Sequence, residues 1–181
     1  MNRKINIVAV SGSLRATSSN SLLIKEIQKW APENVELTVY QGLAKLPAFD
    51  DSMEPSESVS AWRNELAAAD GVLICSPEYA FGVPGALKNA IDWTVGSSEL
   101  VNKPLALITA ASGGDKAHAA WLQIFSALSA DIPTGGDLLI PFIRTKFNDK
   151  GEVSDIATKE SILNTVQALI QAIEQKASKA D

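Results

Sequence analysis

The sequence predicts a doubly wound, three-layer α/β fold, in which a five-stranded parallel sheet of order 2-1-3-4-5 carries helices on both faces. Two observations predict this fold. Short apolar runs rich in Val, Ile and Leu alternate with segments of helical periodicity along the chain. The runs are almost continuously apolar, which is typical of parallel strands that are buried on both faces. The length of 181 residues matches one domain, and no repeat or linker divides residues 1–181.

The elements of the first half follow from periodicity and turn residues. Residues 19–30 have apolar side chains at helical spacing, after a start rich in serine and asparagine that suits an N-cap. Residues 41–56 contain Gly42 and two prolines, which predict a long surface loop. In order, we expect strand one at 5–10, a helix at 19–30, strand two at 35–40, the loop at 41–56 and a helix at 59–69.

The second half continues the alternation. Pro84 precedes a segment of helical spacing, a position that proline favours at helix starts. The last helix is amphipathic, and we expect residues 178–181 after it to fray. In order, we expect strand three at 71–76, a helix at 85–94, strand four at 104–110, a helix at 116–130, strand five at 138–141 and a helix at 156–176.

The composition argues against several classes of protein. With 16 Lys and Arg against 21 Asp and Glu, the net charge is −5, which argues against a nucleic-acid partner held by a broad basic face. One Cys and one His rule out an internal disulfide and argue against a Cys/His zinc site. A hydrolase would depend on His118 alone, for which we expect a surface or helix-capping role. Cys75 lies in an apolar run, so we expect a buried structural thiol.

The N-terminus and the hydropathy predict a cytoplasmic protein without a membrane partner. The basic N-terminus is followed by an apolar run, but the run is too short for a signal peptide. No segment approaches the ~20 apolar residues of a membrane-spanning helix.

The strand order predicts the place of a ligand site. In open α/β sheets, ligands bind beyond the carboxyl ends of the strands where the strand order reverses. Here the order reverses between strands one and three. We therefore expect the site at the loops 11–20, 76–84 and 111–115.

The loop after strand one has the chemistry of a phosphate site. Gly12 permits a tight turn, the next helix starts with free amides, and Arg15 offers a charged fork. Hydroxyl groups stand at Ser11, Ser13, Thr17, Ser18 and Ser19. The alternative is a polar capping loop without a ligand, and the position at the reversal point favours phosphate.

Motifs that this chain lacks narrow the phosphate ligand. The loop after strand one fits neither the G-x-x-x-x-G-K-[ST] motif nor the G-x-G-x-x-G motif, and strand two ends at Tyr40 rather than an acid. No G-x-S-x-G elbow occurs. We therefore interpret the ligand of this loop as a phosphate monoester on a mononucleotide such as FMN.

The loop after strand three offers a surface for a planar ring. Pro77 and Pro84 stiffen its ends, and Tyr79 and Phe81 provide flat apolar faces. The alternative is a rigid loop whose aromatic side chains only pack against the protein.

Together the motifs resemble the NADPH-dependent FMN reductase family. The matching residues are G-S-L-R at 12–15, Ser18, Asn20, P-E-Y at 77–79 and P-G-A-L-K-N-A-I-D-W at 84–93. The resemblance implies a flavodoxin-like fold, FMN as cofactor and NADPH or NADH as electron donor. It also implies a small-molecule acceptor such as FMN, a quinone, chromate or an azo compound, and a homodimer or homotetramer with helix 85–93 near the interface.

The resemblance further implies roles for individual residues. The residues that would hold the phosphate are Ser13, Arg15, Ser18 and Asn20. Those that would border the isoalloxazine are Pro77, Glu78, Tyr79 and Ala80, and Ser112 and Gly113 would contact the flavin from the other side. No catalytic side chain is implied, because flavin N5 carries the chemistry. The candidate cofactor-binding residues are Ser11, Ser13, Arg15, Ser18, Ser19, Asn20, Pro77, Glu78, Tyr79, Ala80, Phe81, Ser112 and Gly113.

Two departures from the family pattern bear on substrate access. Many members have Asn where this chain has Ala80, and the loop 111–115 is shorter than in many relatives. An alternative activity stays open: a flavodoxin-type electron carrier, or an FMN-binding protein without NAD(P)H turnover. Carriers usually have a denser acidic surface than a net charge of −5 indicates.

Overall fold

A computed structural model describes residues 3–52 and 54–179 and confirms the predicted sheet. Its five strands are all parallel to their neighbours and stand in the order β2-β1-β3-β4-β5. β1 lies between β2 and β3, so the strand order reverses beside β1 as expected. The strands are β1 (Ile5–Ser11), β2 (Val35–Val39), β3 (Gly71–Ser76), β4 (Leu105–Ala110) and β5 (Asp137–Ile140).

The helices agree with the predicted ones to within a few residues. They are α1 (Ser19–Trp30), α2 (Glu57–Ala68), α3 (Gly85–Asp92), α4 (Asp115–Ala127) and α5 (Ile156–Ser178), with short 3₁₀ helices at Leu43–Lys45 and Ile143–Lys146. α4 ends before the predicted residue 130 because Ser129 has a φ of 54°, which is incompatible with a right-handed helix. α5 continues to Ser178, and the rest of the predicted frayed end lies largely outside the described residues, since Ala180 and Asp181 are not described.

Two apolar clusters fill the space between the sheet and its helices. α1 and α5 pack on one face, through side chains such as Leu23 and Ile162. α2, α3 and α4 pack on the other face, where Trp62, Trp93 and Trp121 are almost fully buried. Every position of β3 and β4 is buried, which explains why their sequences are continuously apolar.

The segment predicted as a surface loop at 41–56 is partly anchored to the core. Leu43 is buried in the 3₁₀ helix, and the Pro47 carbonyl accepts hydrogen bonds from Asn89 Nδ2 at 2.8 Å and Trp93 Nε1 at 2.9 Å. The prolines and glycine predicted the irregular backbone correctly. They could not predict the anchoring, because the partners lie far along the chain, in α3 and at its C-cap.

Within residues 3–52 and 54–179, no helix is long and apolar enough to cross a membrane. The same residues contain no group of three or more His, Cys, Asp or Glu side chains arranged to hold a metal ion.

Candidate functional site

A cleft of about 160 Å³ lies at the carboxyl ends of β1, β3 and β4, where the strand order reverses. The β1–α1 loop (residues 12–18) and the β3–α3 loop (residues 77–84) form two of its walls, and the segment after β4 forms a third. The lining residues are Ser13, Arg15, Ser18, Ser19, Asn20, Pro77, Glu78, Tyr79, Ala110, Ala111, Ser112, Ile143 and Arg144.

The β1–α1 loop is held close to β3 by its glycine. The Gly12 amide donates to the Cys75 carbonyl at 2.8 Å. A Cβ at Gly12 would lie 3.1 Å from Pro77 Cδ and 3.2 Å from Leu87 Cδ2, closer than ordinary contact. Glycine therefore lets the two loops approach closely enough to form one cleft.

The start of α1 points unused hydrogen-bond donors into the cleft. Ser18 is the N-cap, and its hydroxyl oxygen accepts from the Ser21 amide at 3.1 Å. The amides of Ser19 and Asn20 donate to no acceptor in the part of the chain that the structure describes. Such first-turn amides, together with the positive end of the helix dipole, attract anions.

Asn20 joins α1 to β4 and leaves one polar atom without a partner. Its side chain is buried, and Nδ2 donates to the Ala110 carbonyl at 3.0 Å. The Oδ1 atom is buried and has no hydrogen-bond partner within the described residues. A buried acceptor without a donor is costly, so this atom indicates that a donor from a ligand or a water belongs in the cleft.

The β3–α3 loop contains a tight turn with unusual backbone angles. Tyr79 and Gly82 exchange two backbone hydrogen bonds at 2.9 and 3.0 Å. The two residues between them, Ala80 and Phe81, have φ angles of 49° and 59°. These angles belong to a hairpin turn that favours Asn and Gly, so the turn stores backbone strain beside the cleft. Phe81 at its tip is 82% exposed.

Tyr79 links this turn to the opposite loop. Its hydroxyl donates to Ser13 Oγ at 3.3 Å, and 53% of the residue is exposed. The ring therefore lies at the mouth of the cleft as an accessible apolar face next to the phosphate-type donors.

Glu78 has a structural contact that the sequence indicated only in outline. Its Oε2 accepts from the Ala117 amide at 2.9 Å, in the first turn of α4. The N-cap of α4 is Gly114, which has no side chain for this purpose. Glu78 thus caps α4 from another loop and closes that side of the cleft.

Most of the predicted cofactor-binding residues line the cleft, and four do not. The Ser11 hydroxyl donates to the Ser13 carbonyl at 3.2 Å and lies 3.2 Å from Ser21 Oγ of α1, and Ser11 lines a neighbouring groove near β2. Ala80 and Phe81 form the turn beyond the cleft mouth. Gly113 lies next to Glu78, behind the wall.

Four lining residues were not among the candidate cofactor-binding residues, although one of them, Ala111, lies in the loop 111–115 where the site was expected. Ala110 is the last residue of β4, Ala111 follows it, and Ile143 and Arg144 belong to the 3₁₀ helix after β5. Ligands bind beyond the carboxyl ends of the strands, and this rule applies to β5 as well. It could therefore have pointed to the segment after strand five as part of the site.

The single cysteine and the single histidine lie outside the cleft lining. Cys75 is fully buried in β3, and burial raises the pKa of its thiol, which keeps it protonated and unreactive. His118 bridges Thr109 Oγ1 at 2.9 Å and Asp137 Oδ2 at 3.2 Å, so it fastens α4 to β4 and β5 rather than capping the helix.

The arrangement combines an anion site with an apolar rim. Free amides, hydroxyls and two guanidinium groups line the cleft, and the exposed rings of Tyr79 and Phe81 lie at its mouth and just beyond it. It can bind a phosphate monoester attached to a planar ring system.

Comparison with known proteins agrees with this description. The family model described as NADPH-dependent FMN reductase matches residues 5–145. A quinone reductase of Escherichia coli (strain K12) is 30% identical over 185 residues, which cover 97% of this chain and 98% of the relative. An NADH-dependent flavin reductase subunit 2 of Lactobacillus johnsonii is 28% identical, covering 94% and 98% of the two chains.

A solved structure extends the similarity to the fold. The NAD(P)H:(acceptor) oxidoreductase FerB of Paracoccus denitrificans, a flavoenzyme, superimposes with a TM-score of 0.76 at 26% identity. The alignment covers 94% of this chain and 98% of that one.

Proposed function

This chain belongs to the NADPH-dependent FMN reductase family and is an NAD(P)H-dependent flavin oxidoreductase, and we propose that the cleft at β1, β3 and β4 is its FMN site. The observation that carries the proposal is the anion-binding start of α1 at the reversal point of the sheet, with an exposed aromatic ring beside it. The flavodoxin-like strand order supports the same placement.

The chemistry of the lining residues fits FMN. The Ser19 and Asn20 amides, the Ser13 and Ser18 hydroxyls and the Arg15 guanidinium are donors for phosphate oxygens. The unpartnered Asn20 Oδ1 is an acceptor that suits a hydroxyl of the ribityl chain.

In this reaction the protein binds and orients, and it needs no nucleophile of its own. Bound FMN supplies the oxidation–reduction chemistry, accepting electrons from NAD(P)H and delivering them to an acceptor. The β1–α1 loop fixes one end of the cofactor, and the Tyr79 hydroxyl bond to Ser13 keeps the β3–α3 loop against it. Glu78 holds the start of α4 in place, so the wall formed by Ser112 stays positioned.

A spectroscopic titration tests this proposal. The purified protein is mixed with FMN, its visible spectrum is recorded, and NADPH or, in a second sample, NADH is added without oxygen. We expect FMN to bind and its visible absorption band to bleach as NADPH reduces it. Bound flavin that stays oxidised with both NADPH and NADH would favour the electron-carrier alternative, and absence of binding would contradict an FMN site in the cleft.

For the acceptor, we propose a quinone. Several relatives of about 30% identity are named quinone reductases, including those of Escherichia coli and Pseudomonas putida. The exposed rings of Tyr79 and Phe81 offer flat apolar surfaces beside the cleft, and such surfaces suit a planar apolar acceptor. Steady-state kcat/KM values for a benzoquinone, free FMN, chromate and an azo dye test whether the quinone is the preferred acceptor. A higher value for any of the other three would reject the quinone.

Assembly and location belong to the same proposal. We propose a homodimer or homotetramer with α3 at the interface, as the resemblance implies, and a location in the cytoplasm, where the single thiol stays reduced. Light scattering coupled to size-exclusion chromatography measures the assembly. A monomer at micromolar concentration would contradict the first part, and secretion into the medium would contradict the second.

A further inference from the structure

We propose that Arg144, in the 3₁₀ helix after β5, is a second guanidinium that binds the phosphate of FMN together with Arg15. This inference rests on the proposed FMN site and adds a residue to it. The residue is not part of the motifs at 12–20 or 77–93, and it reaches the cleft from a different strand.

Backbone hydrogen bonds fix the position of the segment that carries Arg144. The Ile143 amide donates to the Ala111 carbonyl at 3.1 Å, and the Phe142 amide donates to the Ser112 carbonyl at 3.2 Å. The preceding residue of β4, Ala110, accepts from Asn20 Nδ2. The end of β4 is therefore bonded to the start of α1 on one side and to the Arg144 segment on the other.

A strained residue turns the chain into this position. Phe142 has a φ of 52° although it is not glycine, and 66% of it is exposed, so its side chain does not explain the conformation by packing. The turn buries Ile143 in the cluster with α1 and α5, and it leaves Arg144 on the cleft wall. Strain of this kind persists where it positions a functional group.

The charged side chains that line the cleft are two guanidinium groups, Arg15 and Arg144, and one carboxylate, Glu78, so the lining carries a net positive charge. Among the described residues, neither Arg15 nor Arg144 forms an ion pair with a carboxylate. The nearest contrast is Lys146 in the same 3₁₀ helix, whose Nζ lies 3.5 Å from Asp155 Oδ1. Two unneutralised guanidinium groups on one cleft suit a phosphate monoester, which carries about −1.5 to −2 charge at pH 7.

The test compares FMN with riboflavin, which has the same ring and no phosphate. Dissociation constants are measured by quenching of flavin fluorescence for wild type, Arg144→Gln, Arg144→Lys and Lys150→Gln, and KM values for NADPH and NADH are measured for the same four proteins. Lys150 is an exposed cation outside the cleft, so its variant has the same change in net charge. Unfolding curves for all four proteins show whether each variant folds.

We expect Arg144→Gln to weaken FMN binding by about tenfold or more and to leave riboflavin binding unchanged. Arg144→Lys should lose less, and the loss in Arg144→Gln should shrink as salt is raised. Lys150→Gln should bind both flavins like wild type.

Three outcomes would overturn the inference while leaving the FMN site standing. Arg144→Gln could bind FMN like wild type, it could lose FMN and riboflavin affinity equally, or it could raise only the KM for NADPH and not that for NADH. The last outcome would assign Arg144 to the extra phosphate of the donor. A wild-type protein that binds no FMN would instead contradict the proposed function itself.

Discussion

The two loops that face each other across the cleft are built in opposite ways. The β1–α1 loop is stabilised by many polar contacts among hydroxyls and amides, and its backbone angles are ordinary. The β3–α3 loop has a turn in which Ala80 and Phe81 both adopt left-handed angles, and its tip is exposed. One loop is a set of donors prepared for an anion, and the other is a strained turn that presents an apolar surface.

From this difference we infer a division between affinity and access: one loop determines the affinity for FMN, and the other affects the access of the acceptor. Charge-assisted hydrogen bonds to phosphate are strong and specific, so the β1–α1 loop should determine how tightly FMN binds. The β3–α3 loop has few polar groups to contribute to affinity. Its strain and exposure should instead affect protein stability and the entry of the acceptor.

The largest effect should come from Arg15. Replacement by Ala removes a guanidinium from the cleft, and we expect FMN affinity to fall by about 1.5–3 kcal/mol, which is the range for hydrogen bonds to charged groups. Calorimetric titration with FMN measures the change. Arg3→Ala is the matched control, because Arg3 pairs with Asp70 at the amino ends of β1 and β3, whereas the cleft lies at their carboxyl ends. Equal affinity of wild type and Arg15→Ala would remove Arg15 from the phosphate site.

The next effect concerns the wall behind the β3–α3 loop. Glu78→Ala removes the acceptor for the Ala117 amide, and we expect the free energy of unfolding to fall by about 1–2 kcal/mol, as for other lost helix caps. Urea denaturation measures it. Glu78→Gln keeps an oxygen at the same place and should lose clearly less. If both variants lost stability equally, the charge rather than the cap would be the reason.

A smaller effect of opposite sign should follow from relieving the turn. Ala80→Gly lets this position adopt its φ of 49° without steric cost, and we expect the protein to gain about 1 kcal/mol of stability. Thermal or urea unfolding measures the gain. Ala119→Gly, at an exposed position of α4, is the control and should lose about as much. A loss in Ala80→Gly would show that this residue is not strained.

The same contrast explains how far the sequence predicts the site. The β1–α1 loop was predictable because its residue types alone indicate its chemistry: hydroxyls, a glycine and an arginine next to a helix start. Five parallel strands and their order were predictable for a similar reason, since burial on both faces leaves a continuous apolar pattern.

What the sequence did not predict depends on tertiary contacts. Ala80 and Phe81 have ordinary preferences for right-handed or extended backbone, and the fold overrides them. Arg144 lies far along the chain from Arg15, and it joins the cleft through hydrogen bonds between the segments after β4 and β5. No local sequence pattern indicates such a contact.

The smallest effect tests whether the two loops act independently. Tyr79→Phe removes the hydroxyl that donates to Ser13 Oγ at 3.3 Å and keeps the ring at the cleft mouth. We expect a loss of about 0.5–1 kcal/mol in stability, because a long, partly exposed hydrogen bond contributes little. Tyr40→Phe is the control, as Tyr40 is the only other tyrosine and packs on Trp62. Urea unfolding and FMN titration are measured for both variants.

The FMN titration of Tyr79→Phe carries the sharper conclusion. If affinity stays at the wild-type value while stability falls, the phosphate donors are organised by their own loop, and the division between affinity and access holds. If affinity falls by more than stability does, the β3–α3 loop positions Ser13 for the phosphate. The bond between the loops would then make them one binding unit, joined by a side chain as well as by the Gly12–Cys75 backbone contact.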